Sequence, residues 1–453
     1  MKRTLHICLF MLVLLLGVAG CDSSTEVQPA SSPSKQAGDV SPPDHNAAGD
    51  EAGTSGGAPP VSPPKSGLTD EPGSDTANAP PAVKQGLSHV EQWMQELTLE
   101  EKVGQLVVIG LEGTVPDATA QRLMEQYHVG GFIFFGDNIE SVDQTLELTG
   151  RLKQLNGDHP VPLWLSLDEE GGRVSRLPPE LDRLPSSGKL GQTEDPKLAA
   201  DAGTHIARLM KALGMNLVYT PVLDINSNPD NPVIGDRSFG SESERVSQLG
   251  LAQMKAIREE GVVPVVKHFP GHGDTGVDSH SGLPVISHPW ERLKSKELVP
   301  FQEAIEQGSE VVMVAHLLMT SIDPDTPASL SKRVIQNLLR EDMKYDGVII
   351  TDDLTMGAIS EAGYDIGDAA VQSILAGCNI VLVGHDYKLE EAVLKSLLEA
   401  VQQGEISEEV LDERVKAVLQ LKHAANLGAM DEELQDLSTL NQETKRIWNA
   451  VKP

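Results

Sequence analysis

The sequence predicts an α/β fold, first of all a (β/α)8 barrel occupying residues 87–430, on three observations. Eight short runs are apolar almost throughout, as strands covered on both faces are. Stretches with apolar residues at helical spacing lie between most of these runs. Ionisable side chains gather where the runs end, and barrel chemistry collects at strand ends. The first two observations fit an open doubly wound sheet equally well, so pattern alone stops at α/β.

Ahead of that domain, Lys2 and Arg3 precede an apolar run from Ile7 to Val18, too short to span a bilayer and shaped like the core of an export signal. It stops at Val18-Ala19-Gly20-Cys21, which resembles a bacterial lipobox. Residues 1–20 are therefore expected to be removed, and Cys21 to carry a diacylglycerol that anchors the protein to a membrane of the cell envelope. Residues 21–86 are rich in Ser, Pro, Gly, Ala and Asp without one Phe, Trp or Tyr, too little apolar surface to offset the entropy of ordering, and read as a tether. With Cys8 in the signal and Cys21 acylated, Cys378 has no disulfide partner and is expected in the core. Residues 431–453 are too few for a further domain and read as a tail.

The eight runs are Val103 to Gly110, Val129 to Gly136, Val161 to Asp168, Met215 to Ile225, Val262 to His268, Val311 to Leu318, Gly347 to Asp352 and Asn379 to Val383. Helical spacing marks Leu198 to Leu213, Arg245 to Glu259, Arg292 to Gln307, Ile366 to Ala376 and Glu408 to His423. Asp168 closes the third run, Asp224 lies near the end of the fourth, and Lys267 and His268 end the fifth. His316 is within the sixth, Asp352 and Asp353 end the seventh, and His385 and Asp386 follow the eighth. Any one of these could cap a helix or pair with a lysine. So many on one edge make a purely structural account a poor one.

Charge and motif absences narrow the chemistry. A net charge of −31 and a pI near 4.7 disfavour nucleic acid, whose recognition depends on Lys and Arg neutralising phosphate. No His-Glu-x-x-His or cysteine cluster marks a metal, and no Gly-x-Gly-x-x-Gly follows the first run, so neither metal nor cofactor is expected.

The fifth run leads into Lys267-His268-Phe269-Pro270-Gly271-His272-Gly273-Asp274-Thr275-Gly276-Val277-Asp278-Ser279-His280. Three further blocks are Asp168-Glu169-Glu170-Gly171-Gly172-Arg173-Val174, Gly235-Asp236-Arg237-Ser238-Phe239 and Thr351-Asp352-Asp353-Leu354-Thr355-Met356-Gly357. Together, and in this order, they resemble glycoside hydrolase family 3, specifically its bacterial β-N-acetylglucosaminidases, over the chain from about Leu87 to the 420s. The resemblance implies a TIM-type barrel, in agreement with the run count.

It also implies roles. Asp352 would be the nucleophile of a retaining glycosidase, His280 the acid/base and Asp278 the residue that orients it. Asp168, Arg237, Lys267 and His268 would hold the sugar. One residue separates Asp278 from His280, so the carboxylate can bond one imidazole nitrogen while the other faces the substrate. Adjacent side chains on a strand point oppositely, so only one of Asp352 and Asp353 is expected at the barrel mouth, with the swapped assignment as the alternative. His272 is expected to brace the loop, and Glu170 and Arg173 to stand behind the sugar contacts, in the turn past the strand.

The implied reaction is exo-hydrolysis of terminal β-linked N-acetylglucosamine, from peptidoglycan-derived glycans that contain N-acetylmuramic acid, by a monomer. With only 4 Trp, 5 Tyr and 7 Phe, the chain offers little for a long groove of stacking subsites. A phosphorylase of the same family is a second reading, since a histidine acid/base repels phosphate less than a carboxylate does. A non-catalytic sugar-binding lipoprotein is a third, against which Asp352, Asp278 and His280 together argue, because binding alone needs no nucleophile.

Overall fold

The computed structural model describes residues 88–157, 159–384, 386–427 and 436–452. The expected signal, Cys21 and the tether lie outside them, as does His385. Each apolar run supplies one strand: β1 Val107–Ile109, β2 Gly131–Phe134, β3 Trp164–Leu167, β4 Leu217–Val218, β5 Val263–Phe269, β6 Val311–Val314, β7 Val348–Asp353 and β8 Ile380–Val383. Each pairs in parallel with the next, and β8 with β1, so the sheet closes into a barrel. Closure excludes the open doubly wound sheet. The whole of β5 is buried, as a strand walled by side chains inside and helices outside must be.

Helices cover the outside where the spacing placed them: Pro196–Ala212, Ser243–Glu259, Ile366–Ala376 and Glu408–Ala424. Asp195 caps the first of these, accepting from the Lys197 N–H, with Pro196 in the first turn where its missing N–H costs nothing. Two stretches depart from expectation. The first apolar run begins as a helix, Leu99–Gln105, because Thr98 and Glu101 form a capping box just before it, and only its end is strand. Arg292 to Gln307 divides into Trp290–Ser295 and Val299–Glu306, because Pro300 lacks an N–H and is tolerated only in the first turn of a new helix.

Cys378 is buried and unpaired among the described residues. Within 431–453, Leu437–Ala450 is a helix capped by Asp436. Thr444 Oγ1 meets His205 Nε2 of Pro196–Ala212 at 2.8 Å, and Trp448 Nε1 donates to the Arg183 carbonyl at 2.8 Å. The segment packs on the barrel. No helix of the described residues is long and apolar enough to cross a membrane.

Candidate active site

All eight strands run the same way, so their C-terminal ends open on one face, and there a cavity of about 280 Å3 is lined by Asp168, Arg237, Lys267, His268, His280 and Asp352, among others. Four charged groups form one side. Lys267 Nζ lies 2.5 Å from Asp168 Oδ1 and 2.7 Å from Glu170 Oε1. Arg237 grips Glu170 with two bonds of 2.8 Å, from Nε and Nη2. Burial opposes the Glu170 charge, but Arg237 and Lys267 overcome it and hold the carboxyl far below the usual range.

Residues 169–171 are more than a turn past the strand: they form a small antiparallel hairpin with Val174–Ser175. Side chains alternate along it. Asp168 and Glu170 reach Lys267, while Glu169 is fully buried elsewhere and burial pushes its carboxyl up to about 8. Glu170 is therefore no bystander: one buried anion fixes two cations that face the pocket, Arg237 and Lys267. Arg173 fits the supporting place expected of it, with Nη2 bonded to the carbonyls of Val233 and Ile234 and Nε 3.3 Å from Asp236.

His268 is held from behind. Its Nδ1 lies 2.6 Å from Asp224 Oδ2, and its Nε2 faces Arg237 Nη2 at 3.2 Å. Arginine only donates, so Nε2 accepts and Nδ1 carries the proton toward Asp224. Asp224 also accepts the His272 backbone N–H at 2.6 Å, which starts the loop after β5 in place. His272 braces that loop, with Nδ1 on Thr275 Oγ1 at 2.8 Å and Nε2 on Ser279 Oγ at 3.2 Å. Burial pushes its imidazole down to about 4, so it stays neutral. Next along, Gly273 lies so close to β4's outgoing chain that a Cβ would sit 1.8 Å from the Ile225 carbonyl oxygen.

The loop then presents Asp278 and His280. Asp278 Oδ1 accepts both the backbone N–H and Nδ1 of His280, each at 2.9 Å, leaving Nε2 free on a side chain that is 68% exposed. Burial opposes the Asp278 charge, but the bonds and charge of His280 hold the carboxyl below its usual range. The loop returns to β7's end: Gly357 N donates to the His280 carbonyl at 3.2 Å, Ala358 N to Ser279 at 3.1 Å, and Leu283 N to Glu361 Oε2 at 2.7 Å.

At that end the expected alternation fails. The pairing of β7 with β8 shifts register between Ile350 and Asp353, and both Asp352 and Asp353 line the cavity. Their environments differ instead. Burial works against ionising Asp352, but the imidazoles of His268 and His316, the Asp353 N–H at 3.0 Å and Lys267 offset it and keep the carboxyl below its usual range. Asp353 is raised by burial, despite bonds from the N–H groups of Thr355 and Gly384 at 2.9 and 3.1 Å. One carboxyl is held toward its charged form while its neighbour ties two loops together.

Asp168, Arg237, Lys267, His268, His280 and Asp352 thus converge, and Asp278 stands behind His280. The sequence assigned no role to four contributors. Asp224 was visible only as a strand-end carboxylate without a task. His316, past β6 rather than within it, bonds the Asp353 carbonyl through Nε2 at 2.9 Å and Ser329 Oγ through Nδ1 at 2.7 Å. Tyr219 and Arg176 line the cavity too, and the Arg176 guanidinium has no carboxylate partner among the described residues. A hairpin that turns residue 176 back to the mouth leaves no trace in periodicity.

Carboxyls held at different acidities around a small pocket of hydrogen-bond donors, with an Asp–His pair on its rim, are the equipment of a glycosidase. Residues 98–421 match the glycosyl hydrolase family 3 N-terminal domain, and the chain belongs to that family. It is 37% identical over 334 residues to β-hexosaminidase LpqI of Mycobacterium tuberculosis, covering 72% of this chain and 83% of that one. With β-hexosaminidase A of Pseudoalteromonas piscicida it shares 33% identity over 333 residues, 68% of this chain but 55% of that relative's length. The family 3 β-N-acetylglucosaminidase from Paenibacillus sp. str. FPU-7 superimposes with a TM-score of 0.75 at 42% identity, over 78% of this chain and 69% of that one. The chain is a glycoside hydrolase of the β-hexosaminidase type.

Proposed function

We propose that the protein is a retaining exo-β-N-acetylglucosaminidase working through a glycosyl-aspartate on Asp352. The observation that carries this reading is the Asp352 carboxyl, flanked by the His268 and His316 imidazoles and held below its usual range, sharing one cavity with a His280 whose loop is bonded to the end of the same strand. An Asp352 oxygen attacks the anomeric carbon as the glycosidic C–O bond breaks, and the leaving oxygen takes the proton of His280 Nε2. Water then gives its proton back to His280 and its oxygen to the anomeric carbon, and Asp352 is released. Asp278 keeps the His280 proton on Nδ1 during the second step and stabilises the imidazolium of the first. Asp168, Lys267, Arg237, His268 and Arg176 would bind the sugar, and a cavity of about 280 Å3 matches one ring better than a chain of them.

Hydrolysis of an aryl β-N-acetylglucosaminide by wild type, Asp352→Ala and His280→Ala tests the mechanism. Asp352→Ala should lose activity on every substrate. His280→Ala should lose much less on an aryl glycoside, whose leaving group needs little protonation, than on a natural disaccharide. Full activity of Asp352→Ala, or equal losses for His280→Ala on both substrates, would overturn it.

The natural substrate we propose is peptidoglycan-derived N-acetylglucosaminyl-N-acetylmuramic acid, at a cell envelope to which lipidated Cys21 anchors the protein. Its support is the hexosaminidase kinship together with the signal-like Ile7 to Val18 run and the lipobox-like end at Cys21. Radiolabelled palmitate should enter the wild type and not Cys21→Ser, and release of N-acetylglucosamine from muropeptides checks the substrate.

A further inference from the structure

We propose that Glu101, His128 and His159 form a binding site for a divalent transition ion of the zinc type, at the end of the barrel opposite the catalytic mouth. Glu101 lies in Leu99–Gln105 before β1, His128 ends the helix Ala118–Tyr127 before β2, and His159 precedes β3. Since the strands are parallel, the three residues gather where the strands begin. One ligand atom from each lies within 4.8 Å of the others.

The donor atoms are arranged as ligands are and not as a finished hydrogen-bond network. Glu101 Oε2 accepts the Thr98 N–H at 2.7 Å, which turns Oε1 toward the two imidazoles. His159 Nδ1 lies 3.2 Å from the Val161 carbonyl and 3.3 Å from the Val161 N–H, and in the tautomer that donates to the carbonyl the lone pair is on Nε2. That Nε2 has no hydrogen-bond partner among the described residues, on a side chain only 4% exposed, and it points at Glu101 Oε1 from 3.9 Å. In that tautomer two acceptors face each other, an arrangement that a bound cation resolves. His128 Nε2 is 3.4 Å from the same Oε1. Ligands about 2.1 Å from a tetrahedral ion stand roughly 3.4 Å apart, which matches the His128 separation and requires the His159 ring to close in on Oε1.

Backbone partners behind Glu101 and His159 are the kind of support that fixes metal-bound imidazoles and carboxylates. The Gln105 amide donates to the His128 main-chain carbonyl at 2.6 Å, which holds that residue's backbone and leaves its ring to turn. The two rings stack with centroids 4.2 Å apart and planes 12° from parallel, so one must turn to aim both lone pairs at a single ion. His128, 27% exposed, is the ring free to turn, and its open side admits water as the fourth ligand. Imidazole with carboxylate suits Zn2+, Co2+ or Ni2+ over Ca2+ or Mg2+.

The experiment is titration of the chelator-stripped full chain with Co2+ and Zn2+, for wild type, His128→Gln, His159→Gln and His280→Gln. Wild type and His280→Gln should bind one equivalent of Co2+ with the visible band of a tetrahedral site. Zn2+ about a hundredfold above its Kd should raise Tm by roughly 3–5 °C. His128→Gln and His159→Gln should lose both signals. His128→Gln should keep the metal-free Tm and the wild-type rate on an aryl β-N-acetylglucosaminide, which shows that the loss is of the ion and not of the fold. No binding in the wild type would overturn the proposal. So would binding that survives His128→Gln and vanishes in His280→Gln, because the ion would then sit at the catalytic loop.

Discussion

The backbone N–H of Gly357 donates to the carbonyl oxygen of His280 at 3.2 Å, joining the loop that carries the proposed acid/base to the turn that leaves β7. A Cβ on Gly357 would stand 2.8 Å from that carbonyl oxygen, closer than atoms tolerate, so Gly357→Ala must push the loop away. The expected result is a loss of about 10- to 100-fold in kcat/KM on a disaccharide, since a small misplacement of a reacting group costs that much. The loss on an aryl glycoside should be smaller, with Tm nearly unchanged. A variant as active as wild type on the disaccharide would show that this contact does not position His280.

Farther down the same loop, Asp274 is the anchor. It accepts Ser227 Oγ at 3.0 Å and Arg292 Nη2 at 3.1 Å and bonds His288 Nε2, and Arg292 is held in turn by Glu297 at 3.0 Å. Asp274→Asn removes the charge these partners share and should loosen the loop four residues before Asp278. Disaccharide turnover should fall roughly tenfold more than aryl-glycoside turnover. If His280→Ala shows that split and Asp274→Asn does not, the anchor has no part in positioning.

The two neighbouring carboxylates of β7 should separate sharply on mutation. Asp352→Asn removes the nucleophile and should cost on the order of 1,000-fold or more in kcat. Asp353→Asn keeps an oxygen to accept from Thr355 and Gly384 and resembles the protonated form that burial favours, so its loss should be about tenfold or less. Trapping with a slow fluorinated glycoside and peptide mapping would locate the covalent sugar. A label on Asp353 would reverse the assignment.

How far the sequence reached follows from which signals are local. Apolar runs mark β-strands wherever both faces are covered, so all eight strands could be expected, while closure rested on the strand-end residues and the family motifs, and only Thr98 with Glu101 and Pro300 cut into the predicted elements. Motif residues such as Lys267 and His268 were legible because a strand end delivers them directly. Asp353 was misread because a register shift, which depends on β8, overrides alternation along β7. Glu170 and Asp224 were under-read because their partners Arg237 and His268 lie 67 and 44 residues away, a pairing visible only after folding.

Glu170 joins stability to binding. Glu170→Gln leaves Arg237 and Lys267 without the buried charge between them, and breaking such a pair typically costs about 3–5 kcal/mol. KM should rise about tenfold or more, since each 1.4 kcal/mol of lost binding is a factor of ten. The folded-state carboxyl is held low, so the wild type has this stabilisation above the unfolded value near 4.5 and loses it as pH falls further. Tm against pH should accordingly be flatter on the acid side in Glu170→Gln. An unchanged acid limb would show that this cluster does not set acid stability.

Glu390 behaves in the opposite sense. It is fully buried, with Oε1 accepting the Gly110 N–H at 3.1 Å and Oε2 without a partner among the described residues, and burial pushes its carboxyl up to about 9. Between the unfolded value near 4.5 and about 9 the folded chain holds a proton that the unfolded chain has lost. Stability is therefore full below that window and falls as pH rises through it, by at most about 1.4 kcal/mol per pH unit for one group. Glu169, pushed up to about 8 by burial, acts in the same direction. Glu390→Gln cannot ionise, so its Tm should match or trail the wild type near pH 5 and exceed it at pH 9. Adding Glu169→Gln should flatten the alkaline limb further. Calorimetric scans at both pH values check this, and parallel Tm curves for wild type and Glu390→Gln would mean that Glu390 is ionised in the folded protein and that a neighbour or water satisfies Oε2.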